Sequence, residues 1–403
     1  MMNDDSWRAY SERLVTGDVL AREGYGKGLP VFLPWGIAVI RRLATVFAEE
    51  FSRGDTLSVR SPTTLVASDV YDRQVEDFGG YDNIYRVRWA GREYVVRPDC
   101  AVDNLAQAMR TPNNGRAGSV LSVFQGFRRL KGPTPPLFRD CAIWPFVQLN
   151  RVAACAERQQ TVAQIVGSLQ QLFHRLCLPV RIVRMGPWKN YSPDLYNVVL
   201  VTPFNTPTIV AMFFVVGESY RRMAGVPGGF DAFDVGLTEK ILSVLLLCSP
   251  GEDGLVLPSS LAPVHAVVAT DDGRVPIDDD GSGLIVRVEP LGKKDWWRKW
   301  ARRGVPVLVE HARGRTRMKT RTGRWREVKP GCAVTDLVLE ADAALRAYLA
   351  AARDASSLFS VRCESCARGD GLRGEVVPEE DGPCVSCGGP GRLRFITSLA
   401  TIY

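Results

Sequence analysis

Histidine is nearly missing from this chain of 403 residues: only His174, His265 and His311 occur, far apart, so no histidine-centred triad is expected. Long apolar runs are missing too. No window reaches the ~18 uninterrupted apolar residues of a membrane-spanning helix, so no membrane partner is expected. The opening residues, MMNDDSWRAY, are acidic and polar, unlike a secretory leader, and the expected location is cytoplasmic. The phosphate loop G-x-x-x-x-G-K-[ST] is absent, and GYGKG at residues 24–28 does not match its spacing. Any nucleotide must therefore be held by other means. Internal repeats are lacking as well.

What is present reads as an ordinary folded protein, 46% hydrophobic and 24% charged, long enough for two or three domains. GIAVIRRLATVFAEEF, Gly36 to Phe51, has the apolar spacing of an amphipathic helix. TLSVRSPTTLV reads as a strand that Pro62 confines to an edge or a bulge. NIYRVRWAGREYVVRP alternates around a glycine turn and predicts a hairpin. A long helix from AERQQTVAQIVGSLQQLFHRLCL, apolar strands from LYNVVLVTP and TIVAMFFVVG, and a buried helix from LTEKILSVLLLC follow. Antiparallel strands with helices on one side predict an α+β domain over residues 1–262. HAVVAT, GLIVRVEPL and VPVLVEHA then suggest a small α/β domain over 263–352, closed by the helix TDLVLEADAALRAYLAAARDA. Residues 353–403 are rich in glycine and cysteine and form a third unit.

Of the ten cysteines, six are scattered singly among apolar residues and behave as small buried hydrophobes. The other four form two knuckles, Cys363-x2-Cys366 and Cys384-x2-Cys387. Each knuckle offers two thiolates on one turn, and two knuckles complete a tetrahedron around Zn²⁺. Four thiolates leave no open coordination position, so the zinc is expected to be structural.

Charge is uneven. Residues 293–329 hold fourteen Lys or Arg against three acids, a local balance of +11 within a chain of net +7, with Trp296, Trp297, Trp300 and Trp325 in the same window. A basic stretch interleaved with aromatics fits a phosphate-rich partner with stacking bases. Earlier in the chain, FRRLKGPTPPLFRDC (Phe127 to Cys141) sets Arg128 and Arg139 on the two arms of a hairpin whose tip carries three prolines.

Taken in order, these segments resemble a class II aminoacyl-tRNA synthetase, prolyl-tRNA synthetase of the archaeal and eukaryotic type. The helix running to Pro62 resembles motif 1 of that family, YVVRPDCAVDN resembles its RPTSE segment, and the proline-tipped hairpin resembles motif 2. VVGESYRRM is similar to LGQNFSKMF, and VGLTEKILSVLLLCSPGEDGLVLPSSLAP resembles motif 3 without a gap. WARRGVPVLVEHARG is similar to the anticodon-binding domain, and residues 363–403 to the zinc-bearing C-terminal domain with its terminal Tyr. The resemblance implies ATP and Mg²⁺ as cofactors and a homodimer through motif 1. It also implies tRNA, or another acceptor, on the 293–329 window. Arg128 takes the place of the arginine that grips the ATP α-phosphate; Arg139, Lys240 and Asp234 complete the implied ATP site. Arg97, Asp99, Cys100, Trp144, Val147, Leu149 and Phe214 fall on the implied acyl-substrate pocket.

Departures from the family are equally specific. The motif 2 glutamate is Leu130, the adenine-stacking REF triplet is Cys141, Ala142 and Ile143, and the motif 3 arginine is Lys240. Lysine keeps the charge but not the planar fork. Ala232 stands for a glutamine, with Asp231 and Asp234 beside it as possible metal contacts. In the pocket, the Thr and Glu of TSE become Asp99 and Ala101, and SHH becomes Phe213, Phe214 and Val215. A more apolar pocket follows, in which an ammonium depends on Asp99. The α/β domain has only a short loop where the family places a helix. Three functions are consistent with these features. The first is an AMP-forming ligase that activates an amino or other carboxylic acid and passes it to tRNA, a carrier protein or an amine. The second is an inactive synthetase-like regulator that binds tRNA or protein, and the third a divergent proline--tRNA ligase.

Overall fold

The structure, a computed structural model, describes residues 4–24, 28–53, 57–69, 71–72, 84–110, 118–127, 143–202, 207–238, 240–247, 254–278, 280–292, 295–321, 323–354, 358–369 and 372–396. The hairpin tip with Arg128 and Arg139 lies outside them, as does the side chain of Trp144.

Eleven strands form the main sheet: β1 (Leu57–Arg60), β2 (Ser119–Phe127), β3 (Ile143–Ala154), β4 (Arg181–Trp188), β5 (Ser192–Val201), β6 (Pro207–Val215), β7 (Phe230–Thr238), β8 (Phe359–Arg362), β9 (Leu372–Val377), β10 (Asp381–Pro383) and β11 (Pro390–Ile396). Their order is β1-β2-β3-β7-β6-β5-β4-β9-β11-β8, with β10 on β11. Among the described residues of this sheet, only β1 pairs parallel, with β2. Pro62 breaks the expected single strand in two: β1 stays on the edge, and Leu65–Ala67 joins a separate three-stranded sheet. That sheet contains the expected hairpin, Tyr85–Trp89 and Arg92–Val96, whose two turn residues Ala90 and Gly91 both have positive φ, 49° and 77°. Both lie in the left-handed region that such a two-residue turn demands.

Strand alternation gives the main sheet two chemically different faces. Val147, Leu149, Phe213, Val215, Phe233, Val235 and Leu237 point to one side. There they pack against the helices Pro34–Phe51 and Arg158–Arg175, which contribute Val39, Leu43, Phe47, Ile165, Leu169 and Phe173. Proline in the first turn of the Pro34–Phe51 helix costs no hydrogen bond, because that N–H has no intrahelical partner. The opposite face carries the polar residues of β3 and β7. It is covered near Val120, Val152 and Phe214 by the helices Ala101–Arg110 and Glu218–Met223. The cysteine-bearing segment extends the same sheet, since β9 pairs with β4 through Val376↔Val183 and Val377↔Ile182.

A second sheet has the order Val286–Pro290, Ala266–Thr270, Val307–Ala312, Arg315–Thr320, Arg326–Glu327, the first three strands parallel. The connection from Ala266–Thr270 to its parallel neighbour carries only Ile277–Asp278, which pairs with Cys332–Ala333, and no helix among its described residues. The trimmed α/β layout expected from the sequence is therefore present. This unit meets the main sheet at a tryptophan. The Trp35 Nε1–H donates to the Arg303 carbonyl (3.0 Å), and Arg303 Nε donates to Asp18 (2.6 Å). Gly254, at φ +89°, lets the Arg302 backbone approach to where a Cβ would sit 2.3 Å away.

Candidate active site and cysteine cluster

Register on the polar face of the main sheet dictates what faces the cleft. One transverse row reads Leu195, Phe214, Asp234, Asn150, Val120; the next reads Asn197, Met212, Gly236, Gln148, Ser122. Val147 and Leu149 occupy the alternate positions of β3 and lie in the opposite core, 4% and 0% exposed. The expectation that they line the pocket is corrected by this parity. A strand turns every second side chain to the other face, and the cleft-facing residues of that stretch are Gln148 and Asn150.

Asp234 is the hub of the cleft. Its Oδ1 accepts from Gln148 Nε2 (2.8 Å) and Asn150 Nδ2 (3.0 Å), and its Oδ2 from the Tyr191 hydroxyl (2.5 Å). The amides are held in turn: Cys100 N–H donates to Gln148 Oε1 (2.8 Å), Asn104 Nδ2 to Asn150 Oδ1 (2.9 Å), and the Ser122 hydroxyl to Asn104 Oδ1 (2.7 Å). Each link in this buried relay has its partner, the condition under which such networks rigidify a site. Burial pushes the Asp234 carboxyl up to about 6 although its three donors pull it down; the Asp99 carboxylate adds to the rise. The folded state therefore holds this proton more tightly than the unfolded chain, whose ordinary value is 3.8. The stability it contributes is full below that value and is lost as pH rises through about 6.

Asp99 and Arg97 stand on the loop that enters the helix Ala101–Arg110. Asp99 accepts from the Tyr71 hydroxyl (3.1 Å) and from Ala101 N–H (3.3 Å). Arg97, 5% exposed, donates to Thr63 O (2.6 Å) and to Asp103 (2.5 Å), so its guanidinium braces the loop. Burial pushes the Cys100 thiol well up and so favours its neutral form. Phe214 belongs to an aromatic wall. Tyr191 meets Tyr220 and Phe214 edge-on at 4.9 and 5.0 Å, and Trp188 lies 5.7 Å from Phe214. Asp231 is not beside Asp234 in space: it points to the other face and is clamped by Arg158, through two 2.8 Å bonds, and by Arg221 at 2.8 Å. That ion triad leaves it no metal role. Lys240 is half-buried and opens the helix Lys240–Leu247 directly after β7.

The three histidines sit apart from this cleft. His265 accepts from Ile285 N–H, His311 meets Thr316, and His174 meets Arg346. Tryptophans of the basic window are likewise engaged within the protein. Trp300 is 2% exposed, with the Arg303, Lys299 and Arg287 cations 4.9 to 5.1 Å from its ring centroid. Lys319 covers Trp297 at 4.7 Å and Arg317 covers Trp325 at 5.1 Å. Of the expected base-stacking platform, Trp300 is turned inward, while Trp296, Trp297 and Trp325 are half-buried.

Cys363, Cys366, Cys384 and Cys387 converge, all four sulfurs within 4.8 Å of one another. The Cys363–Cys387 separation of 3.7 Å is close to the edge of a tetrahedron built on metal–sulfur bonds of about 2.3 Å. It is far from the ~2.05 Å of a disulfide. Backbone N–H groups of Cys363, Ser386 and Cys387 hold the Cys384 thiol down to about 6, while hydrogen bonding with the neighbouring thiols pushes the Cys366 thiol up.

No family model matches the chain. Among curated relatives, the proline--tRNA ligase of Methanoregula boonei is 21% identical over 461 residues, spanning 96% of each chain. That of Pyrococcus horikoshii is 22% identical over 342 residues, 75% of this chain and 69% of its own. Of solved structures, Giardia lamblia prolyl-tRNA synthetase in complex with prolyl-adenylate aligns with a TM-score of 0.79 at 15% identity, over 98% of both chains. The Cryptosporidium parvum enzyme, complexed with halofuginone and AMPPNP, gives 0.70 at 16% identity, over 87% of this chain and 78% of its own. The chain is thus similar in sequence, at 21–22% identity, to curated proline--tRNA ligases, and it shares the fold of the solved prolyl-tRNA synthetases.

Proposed function

We propose that the protein is an AMP-forming ligase that activates an amino or other carboxylic acid with ATP and passes the acyl group to an acceptor. The observation that carries this reading is the polar cleft face shared by β3 and β7. Gln148 and Asn150 lie beside Gly236 and Asp234 there, in a chain whose curated relatives are proline--tRNA ligases. Gly236 has no side chain between Met212 and Gln148, which leaves a flat strip of backbone on the cleft floor. Bound ATP would supply the adenylyl group and the pyrophosphate leaving group, with Mg²⁺ neutralising its phosphates. Arg128, which directly follows β2, would aim a guanidinium at the α-phosphate, and Arg139 and Lys240 would hold the outer phosphates. Such donors act most strongly on charge that develops in a dry cleft.

A catalytically inactive regulator is the second reading, favoured by Leu130 where the family has a carboxylate. Acid-dependent exchange of pyrophosphate into ATP separates the two. We expect exchange with at least one acid from a broad panel, and none when Arg128 is replaced by Ala. Absence of exchange across the panel by folded, metal-loaded protein would overturn the ligase reading.

Zn²⁺ is the metal that the four thiolates suit, in a closed structural site. A homodimer through the motif 1 segment is supported by β1, an edge strand whose Val59 is 62% exposed. The outward cations of the 293–329 window, Arg313, Arg315 and Lys329 among them, support contact with an acceptor RNA through its phosphates. Binding of tRNA that weakens steeply with added salt would be the expected signature, and salt-independent binding would contradict it.

A further inference from the structure

Strand β9 of the cysteine-bearing segment pairs with β4 at only three residues, Ile182, Val183 and Arg184, and among the described residues the pairing ends there. At that point β4 slips in register: Arg184 faces Tyr196, but Gly186, at φ +79°, faces Leu195. Such a bulge bends a strand and tightens its twist. Past it, the hairpin of β4 and β5 carries Trp188 and Tyr191, whose hydroxyl bonds Asp234 at 2.5 Å. Met185 lies in the bulge and packs against two apolar clusters at once. One is the core of the cysteine segment, with Val376 and Phe395; the other holds Tyr191 and Phe214 of the aromatic wall. Gly374 shows how closely the segment is seated. A Cβ there would lie 2.2 Å from Val183 Cγ1 and 2.9 Å from Met185 Sδ, and a β-branched valine has little freedom to give way. The cysteines hold this seat from behind. The Cys363–Cys366 knuckle leads through the short helix Glu364–Gly369 to β9, and the Cys384–Cys387 knuckle leads to β11, which pairs with β9.

We propose that metal loading of the cysteine cluster is transmitted to the cleft through Met185: the loaded segment, seated on β4, holds the hairpin tip so that Tyr191 stays on Asp234, and loss of the metal releases that tip. Met185 is thus a positioning residue, and Gly374 is the contact that seats the segment on it. This rests on the reading of the cluster as a metal site, and it stands apart from the ligase reading, because it concerns where Tyr191 sits and not what the cleft binds. A methionine suits the place, since its flexible thioether fills the irregular gap that a bulge leaves. The released part is the stretch beyond Arg184, where β9 no longer pairs with β4 and local opening costs least. Strands β1, β2 and β3 lie at the far end of the sheet order and keep their own partners.

Hydrogen exchange read by mass spectrometry on the full-length protein, zinc-loaded and after a chelator, tests this. In wild type, chelation should speed exchange in residues 186–195 about tenfold or more and leave 119–127 and 143–154 unchanged. Met185→Ala should show the fast exchange at 186–195 while still loaded, with its zinc content and the protection of 372–396 kept, and chelation should add little at 186–195. Gly374→Ala, which leaves all four thiols in place, should likewise release 186–195 with zinc still bound, and it serves should Met185→Ala fail to fold. A methionine that is merely part of the core would instead raise exchange evenly across all these strands, and that result would overturn the proposal. So would chelated wild type in which 372–396 opens while 186–195 stays as protected as in the loaded form. A protein that takes up neither Zn²⁺ nor Co²⁺ would overturn the metal site and this inference together; uptake without any change at 186–195 would overturn this inference alone.

Discussion

Stripping the metal from the cysteine cluster with a chelator is expected to unfold residues 358–396 while the rest of the main sheet survives. The segment has little else to hold it. Its apolar core is small: Val376, Leu393 and Phe395 against Val183 and Val199, edged by the partly buried Met185, Leu358, Phe359 and Val361. Its ion pairs include Arg392 with Glu379 at 2.7 Å and Arg181 with Glu380 at 2.6 Å, between partly or largely exposed groups, and the better buried Arg394 with Glu375 at 2.9 Å. Exposed pairs contribute about 0 to 1 kcal/mol each. Structural zinc in small metal-bound units contributes an apparent ~10–16 kcal/mol at neutral pH. Without the metal, four thiols that converge to within 4.8 Å lose the ion that joins them. Limited proteolysis should then cut within this segment, and a hydrophobic dye should report the uncovering of Val183 and Val199, now 0% and 1% exposed. Cys366→Ser should behave like the chelated protein. A metal-free protein whose C-terminal segment resists protease as well as the loaded form would contradict the structural role.

Replacing Trp300 with Ala is expected to cost about 3 to 5 kcal/mol of folding free energy, the range for a buried aromatic reduced to a methyl. Its ring fills the core between Val267, Val305 and Leu308, meets Trp35 at 6.2 Å, and carries Arg287, Lys299 and Arg303 within 5.1 Å. The loss should reach the junction with the main sheet, because Arg303 also stacks on Trp35 and bonds Asp18. Trp297, only partly buried, should cost clearly less when replaced. Denaturant unfolding of both variants checks this. A Trp300→Ala protein as stable as wild type but deficient in RNA binding would contradict the inward role and restore the stacking platform that the sequence pattern suggests.

Features carried by local spacing were legible in the sequence, and those carried by long-range register were not. Cys363, Cys366, Cys384 and Cys387 could be read because each ligand pair sits on one turn. The hairpin at Ala90–Gly91 could be read because two strands alternate around a glycine. The cleft hub could not. Asp234 reaches Gln148, Asn150 and Tyr191 across 86, 84 and 43 residues of chain, and nothing local marks those pairings. The alternation Val147, Gln148, Leu149, Asn150 did hold a usable signal, since polar residues at every second position of an apolar strand mark its cleft face. Following similarity to the family's pocket segment instead displaces the assignment by one residue, and one residue in a strand is the other side of the sheet. The buried Trp300 within the basic window was not legible for a related reason. Composition cannot tell a tryptophan stacked by a neighbouring arginine from one offered to a base, and Trp300 is the former.

The most direct test of the adenylate-forming reading is a crystal of the metal-loaded protein soaked with ATP and Mg²⁺. The expected result is a nucleotide on the polar face of β3 and β7, with Arg128 on its α-phosphate and Lys240 and Arg139 on the outer phosphates. A cleft that stays empty at saturating ATP, or one in which Arg128 turns away from the phosphates, would contradict it.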